Sequence, residues 1–314
     1  MMKMRRAAVV VVVMMIVAAA GCALYDSDPA DDQVQQNNED QQDDPNSEQP
    51  SDNNDDEDNQ PNNDENNDGA NDANQTSNND ANDDDPDTAS RVEQLISGDE
   101  FERLDIRVYY VDGRQPRDGV ADELADGIEQ IIDKPEGVDV TMDAEIGETA
   151  PSEGWEFSDL QELTDDYAAG DVDDDTIVVQ TLLVDGEYAE SDSNVLGVAW
   201  GHEHAVLFMD QIEQSCQNAS ILGIDAEELC EHAELTVWRH EIGHVLGLVN
   251  NGAPMQTDHE DQDNQRHCKH DDCVMYWAYR NPGMMDRLGE RLLDGEQSAP
   301  NFGDACLADL DAVQ

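Results

Sequence analysis

The segment Trp238-Arg239-His240-Glu241-Ile242-Gly243-His244-Val245-Leu246-Gly247-Leu248 holds the residue types that metal-assisted hydrolysis needs. Histidines four apart lie one above the other on a helix face, so both imidazoles can reach one ion. A zinc ion there would lower the pKa of its water toward about 7 and polarise a scissile carbonyl. Glu241, beside the first histidine, is placed to take a proton from that water and deliver it to a leaving amine. The bland alternative is a surface helix with incidental histidines. Gly247 permits a sharp turn at the helix end, from which a third ligand can return. Asn250 follows that turn and its amide is a poor zinc ligand; a third ligand can come from further along. His267, His259 and His270 are the candidates, with Glu290 as a carboxylate rival. His259 lies among acids that could orient its ring.

From 240 to 247 the chain resembles the metzincins, whose signature H-E-x-x-H-x-x-G-x-x-H ends on the third zinc histidine. The later stretch from His267-Cys268 to Cys273-Val274-Met275, H-C-x4-C-x-M, looks like the corresponding piece of the archaemetzincins. That resemblance implies His267 as third ligand, with His259 as the alternative, and Met275 as the Met-turn residue beneath the zinc. It implies an α+β (α/β-like) fold, a zincin-like mixed sheet with an active-site helix. It also implies a zinc metalloendopeptidase acting on protein or peptide substrates, with Zn2+ as cofactor and Glu241 as general base and acid. Two departures stand out: an Asp- and Asn-rich insertion between Gly247 and His267, and no further downstream cysteine pair. The insertion could alternatively hold Ca2+. The rival class is a catalytically silent zincin-fold surface binding or adhesion lipoprotein; the intact Glu241 speaks against it.

Elements must position these groups. Phe101 to Val111 is β-branched and aromatic, as a strand would be, and Asp112-Gly113 signals a turn. Val120, Leu124, Ile128, Ile131 and Ile132 recur at helical spacing, and Lys134-Pro135 closes that helix. Val138, Val140, Met142, Ala144 and Ile146 alternate, which predicts a strand with all five on one face. Thr176 to Val184 is a continuous apolar run suited to a central strand. Val195 to Ala199 and His204 to Met209 are two more strands; the resemblance to metzincin-like folds implies the latter as an edge strand that pairs with an extended peptide. Ala226 to Leu248 predicts one long helix, and Met284 to Leu293 a C-terminal one. His202 and His204 read as a polar strand end, with a second metal as the sharper alternative. Asp171 to Asp175 reads as a solvated acidic turn.

The flanking composition sets the context. Residues 1–22 carry Lys3, Arg5 and Arg6 before an apolar run that ends at Ala19-Ala20-Gly21-Cys22, resembling a bacterial lipoprotein signal with Cys22 lipidated. Residues 23–90 are nearly all Asp, Asn, Gln, Glu, Ser and Pro, too polar to offset their conformational entropy, and read as a disordered tether. Residues 91–314 then form the catalytic domain. The expected location is the bacterial cell envelope, with membrane contact through the lipid alone, or secretion. From residue 91 onward there are 53 acidic and 12 basic side chains, a net charge of −41, which disfavours nucleic acid as a partner. Among the cysteines, Cys268 with Cys273 is expected as a local bridge and Cys216 with Cys230 as a second, leaving Cys306 over.

Overall fold

A computed structural model describes residues 86–314, apart from 169, 171, 190–194, 219–223 and 297. The expected signal, the lipidated Cys22, nearly all of the tether and Asp171 lie outside the described residues. The elements run α1 (Pro86–Ile96), β1 (Arg103–Val111), α2 (Val120–Glu129), β2 (Gly137–Ile146), α3 (Phe157–Asp166), β3 (Thr176–Val184), β4 (Gly197–Trp200), β5 (His204–Phe208), α4 (Met209–Asn218), α5 (Ala226–Val245), α6 (Met284–Leu293) and α7 (Asp304–Asp311). The fold is mixed α and β, as expected.

The sheet order is β2-β1-β3-β5-β4. β2, β1, β3 and β5 are parallel neighbours, and β4 runs antiparallel on β5. Parallel strands need helical crossovers, which cover both faces and favour continuous apolar runs. β3 shows it: Ile177, Val179 and Leu183 face the larger core, Leu182 and Val184 the smaller. The larger core packs β1, β3 and β5 against α1, α2 and α5, and extends to Met275, Cys306 and Leu310. The smaller joins Leu160 and Leu163 of α3 with Trp155, Tyr188 and Phe208.

Several expectations are corrected. β5 has neighbours on both sides, so His204 to Met209 is not an edge; among the described residues the edges are β4, beside it, and β2 at the far side. The five alternating residues of β2 do not share a face. The register shifts between Val108 and Tyr109, so Val108 pairs with Met142 and Tyr109 with Ala144. The extra residue turns the strand over: Val138 and Val140 meet the larger core, Ala144 and Ile146 the smaller, and Met142 is left 40% exposed. Finally, α1 crosses the expected tether boundary at 90, with Val92, Leu95 and Ile96 buried in the core. Lys134 fixes its end, donating to the carbonyls of Gln94, Ser97 and Phe101 at 2.6, 2.7 and 2.8 Å.

Candidate metal centre

α5 starts at Asp225, whose carboxylate accepts from the Glu227 amide at 2.9 Å and satisfies one of the helix's open donors. From Ala233 to Val245 every residue is buried, polar ones included. Most of those polar groups have evident partners. Glu234 accepts from the Arg117 guanidinium at 2.7 Å and from its amide at 3.0 Å. Thr236 donates to His232 O at 2.6 Å, and Arg239 to Pro300 O at 2.7 Å. His240, Glu241 and His244 remain, on the face turned toward β4 and the 267–280 segment.

Gly247, at φ +79, ends the run; a side chain there would meet Val92, Ala253 N and Asn251 O within 3.0 Å. Asn251 donates to His244 O at 2.8 Å and closes the helix end. The chain loops out and returns at His267. His240, His244 and His267 form one buried group, their ligand nitrogens all within 4.8 Å of one another. Ring centroids lie 4.9, 5.2 and 5.0 Å apart. His240 Nδ1 donates to Val274 O at 2.7 Å and His267 Nδ1 to Gln265 O at 2.8 Å, which leaves each Nε2 with its lone pair. His267 Nε2 is buried with no hydrogen-bond partner among the described residues. His240 and His244 bring Nε2 atoms to 3.2 Å. At that separation the two nitrogens can share one proton or turn their lone pairs on a cation, and three neutral imidazoles with one open position fit zinc. Burial keeps the rings neutral: it pushes His240 and His244 well below the usual histidine range and His267 down to about 3.

Met275 packs against Gly243, on the helix that carries His240 and His244. Tyr276 N donates to Cys273 O at 2.9 Å, forming a tight turn that buries Met275 against Gly243. A methyl group on Gly243 would collide with the Met275 sulfur. Glu241 is 2% exposed and packs on Gly197 of β4, where a side chain would meet its Oε1 at 2.7 Å. Burial pushes Glu241 up to about 8, opposed by the positive charge of Arg280. Arg280, Tyr188, Val195 and Val198 join Gly197, Glu241 and His244 around one cavity.

The other candidates lie elsewhere. His259, the alternative third ligand, is buried with Asp309, its Nε2 2.7 Å from Oδ2. His270 and Glu290 are exposed. His202 bonds Val245 O at 2.9 Å, and the His204 ring lies 5.1 Å from that of Trp200. Asn250 is exposed, 3.4 Å from Glu260. In the insertion, the Asp261 carboxylate accepts from the Asp263 and Asn264 amides.

The expected Cys268–Cys273 bridge is absent: both are free and buried, as is Cys306. Cys216 and Cys230 do form a disulfide, between α4 and α5. The free thiols belong to a second group that sequence reasoning missed, in which His259, Cys268 and Cys306 bring their ligand atoms within 4.8 Å. Cys273 Sγ lies 3.6 Å from Cys306 Sγ, too far for a disulfide at roughly 2 Å. It is close to the roughly 3.8 Å expected between two thiolates on a tetrahedral zinc. Hydrogen bonds from Cys273 and Cys306 pull the Cys268 thiol down, while Cys268 pushes both partners up. His259 donates through Nε2 to Asp309, freeing Nδ1 toward Cys306 at 4.0 Å, the carboxylate–histidine arrangement common behind metal ligands. A lone histidine among acids gave no sign that its partners were cysteines.

No family model matches the chain, and no curated protein matches it. Among solved structures the chain is similar to archaemetzincin from Methanopyrus kandleri, at 20% identity and TM-score 0.40, over 68% of this chain and 96% of that one. It is also similar to a zinc-dependent peptidase from Methanocorpusculum labreanum, at 16% identity and TM-score 0.41, over 65% and 99% of the respective chains.

Proposed function

We propose that the chain is a zinc-dependent metalloendopeptidase. The observation that carries this reading is the convergence of three buried imidazole nitrogens beside a buried carboxyl group. His240, His244 and His267 would hold the zinc, which supplies a Lewis acid and an activated water. Glu241 moves the proton, first from that water and then to the leaving amine. Its position one residue after the first ligand keeps the carboxyl beside the reacting centre through both transfers. Gly197 leaves room for the Glu241 carboxyl against β4. The outer edge of β4 offers backbone groups to an extended peptide, so the scissile bond would lie across the histidines.

The second group, Cys268, Cys273, Cys306 and His259, suits a closed structural zinc with no open position. It would fasten α7 and the insertion to the metal-site turn. Export on a lipid at Cys22, with residues 23–90 as a spacer, completes the reading; no helix among the described residues is long and apolar enough to cross a membrane.

The test is cleavage of casein by the purified, zinc-loaded chain. Wild type should cleave, a chelator should stop it, and Glu241→Gln should keep its zinc while losing roughly 10²–10⁴-fold in rate. A wild-type chain that is fully loaded at all three histidines yet cuts nothing would instead be a binding protein.

A further inference from the structure

Arg239 stands one residue before the first clustered histidine and is 3% exposed. Its guanidinium donates through Nη1 to Pro300 O at 2.7 Å, with Ala299 O at the limit of reach, 3.5 Å away. Nε is buried with no hydrogen-bond partner among the described residues. Nη2 passes over Gly127 of α2, where an added methyl carbon would lie only 3.2 Å from it. Among the described residues no carboxylate bonds this guanidinium, and a buried charge without one is costly. The carbonyls that compensate it belong to one short segment, 299–300.

That segment leads to the metal centre. Asn301 O, the next carbonyl along, accepts from Val274 N at 2.8 Å, and Val274 O accepts from His240 Nδ1 at 2.7 Å. Arg239 and His240 are consecutive, so the path closes on itself: guanidinium, residues 300–301, Val274, imidazole. One turn along α5, a side chain on Gly243 would come within 2.8 Å of Phe302 Cε1. Residues four apart share a helix face, so residues 299–302 lie along the face that carries Arg239 and Gly243. Gly303 N donates to Cys273 Sγ at 3.2 Å and holds the far end.

Resting on the reading of the three histidines as zinc ligands, we propose that Arg239 is a positioning residue for His240, holding the 299–301 segment so that the Val274 carbonyl orients the imidazole. A neutral imidazole has one lone pair, and the hydrogen bond at its other nitrogen decides which nitrogen keeps it. The Val274 carbonyl claims the Nδ1 proton and leaves Nε2 to face His244 and His267. Arginine suits the task because its donors sit on a rigid planar fork at the end of a long stem. A charged donor also makes the stronger hydrogen bond, which offsets part of the burial cost. A cation that served the fold alone would leave the ring indifferent to its loss.

The experiment uses the full chain with ¹⁵N-labelled histidines, first free of metal and then titrated with zinc. Long-range ¹H–¹⁵N correlation reads the His240 tautomer, chelator competition reads zinc affinity at the histidines, and urea unfolding reads stability. Wild type should show His240 protonated at Nδ1. Arg239→Met should mix the two tautomers and weaken zinc about tenfold, and Arg239→Lys, with one compact donor group, should fall between. A folded Arg239→Met chain with the wild-type tautomer and zinc affinity overturns the proposal, however far its urea midpoint has dropped. Should Arg239→Met fail to fold, Arg239→Lys decides, and identity with wild type in both readouts overturns the proposal. A wild type that takes up no zinc at the histidines defeats the metal reading by itself, and the tautomers of the metal-free chains still decide the role of Arg239.

Discussion

His267 and Cys268 are consecutive in the chain yet face opposite groups: the imidazole turns to His240 and His244, the thiol to His259 and Cys306. The backbone between the groups is closely knit. Cys268 N donates to Met275 O at 2.8 Å, Lys269 N to His259 O at 2.9 Å, and Asp261 N to His267 O at 2.7 Å. A metal at the sulfur group would therefore stiffen the segment that presents the third imidazole. The expected content is two zinc ions per chain by elemental analysis. His267→Ala should lose one and keep the other. Cys306→Ser should lose the second and also weaken zinc at the histidines about tenfold in chelator competition. Undiminished affinity at the histidines in Cys306→Ser would show the two groups to be independent.

Gly243 should be as sensitive as the ligands, although it offers no chemistry. A methyl group there meets the Met275 sulfur, and Phe302 Cε1 at 2.8 Å, in a region with no slack. Overpacking of this kind costs about 1–3 kcal/mol. Gly243→Ala should therefore lower the urea midpoint and weaken zinc binding by shifting the turn under His240. Adding Met275→Ala opens the space, so the pair should be less destabilised than the sum of the single changes. Additivity within error would mean that the contact does not set the position of the turn.

Glu234 and Arg117 make a stability test that touches none of the three clustered histidines. The carboxylate is fully buried and its main cationic partner is Arg117, which thereby holds the loop before α2 against α5. Burial raises the Glu234 pKa, while the guanidinium and amide of Arg117 oppose the rise. Arg117→Ala strands the buried acid and should cost about 3–5 kcal/mol, measured by denaturant unfolding. Glu234→Gln keeps the hydrogen-bond acceptor and should cost less. Equal losses in the two variants would mean that the ion pair is not what matters.

What the sequence displays depends on whether a feature is local. The α5 motif was legible because His240, Glu241 and His244 lie within one and a half helical turns. The strands were legible because β1 and β3 are long and apolar. His267 came from resemblance, and the geometry brings it to the other two histidines. The sulfur group stayed hidden because Cys306 lies on α7, 33 residues beyond its neighbour Cys273, so proximity in sequence favoured the wrong bridge. The edge was misplaced because it came from resemblance: β4 and β5 are adjacent short strands, and only the pairing of β5 with β3 shows which is outside. The reversal of β2 depends on one unpaired residue, which no hydrophobic pattern announces. α4 begins at Met209, directly after β5, so its first turn read as the end of the strand.

Lys134 provides a prediction with a pH sign. Three carbonyl oxygens hold its ammonium at 2.6–2.8 Å, but burial wins and pushes its pKa down to about 8. In the unfolded chain the same group titrates near 10.5. Between those values the unfolded state binds more protons than the folded one, so this group's contribution to stability rises with pH across the window. Below about pH 8 both states are protonated and the contribution is level. The carbonyls of Gln94 and Ser97 lose their partner in Lys134→Met, which should destabilise the fold by about 1–3 kcal/mol through the end of α1. The gap between wild type and Lys134→Met, read from urea unfolding, should be flat from pH 6 to 7.5 and widen in favour of wild type from pH 8 to 10. A gap that narrows over that range would mean the three carbonyls outweigh burial and hold the ammonium charged above its unfolded pKa.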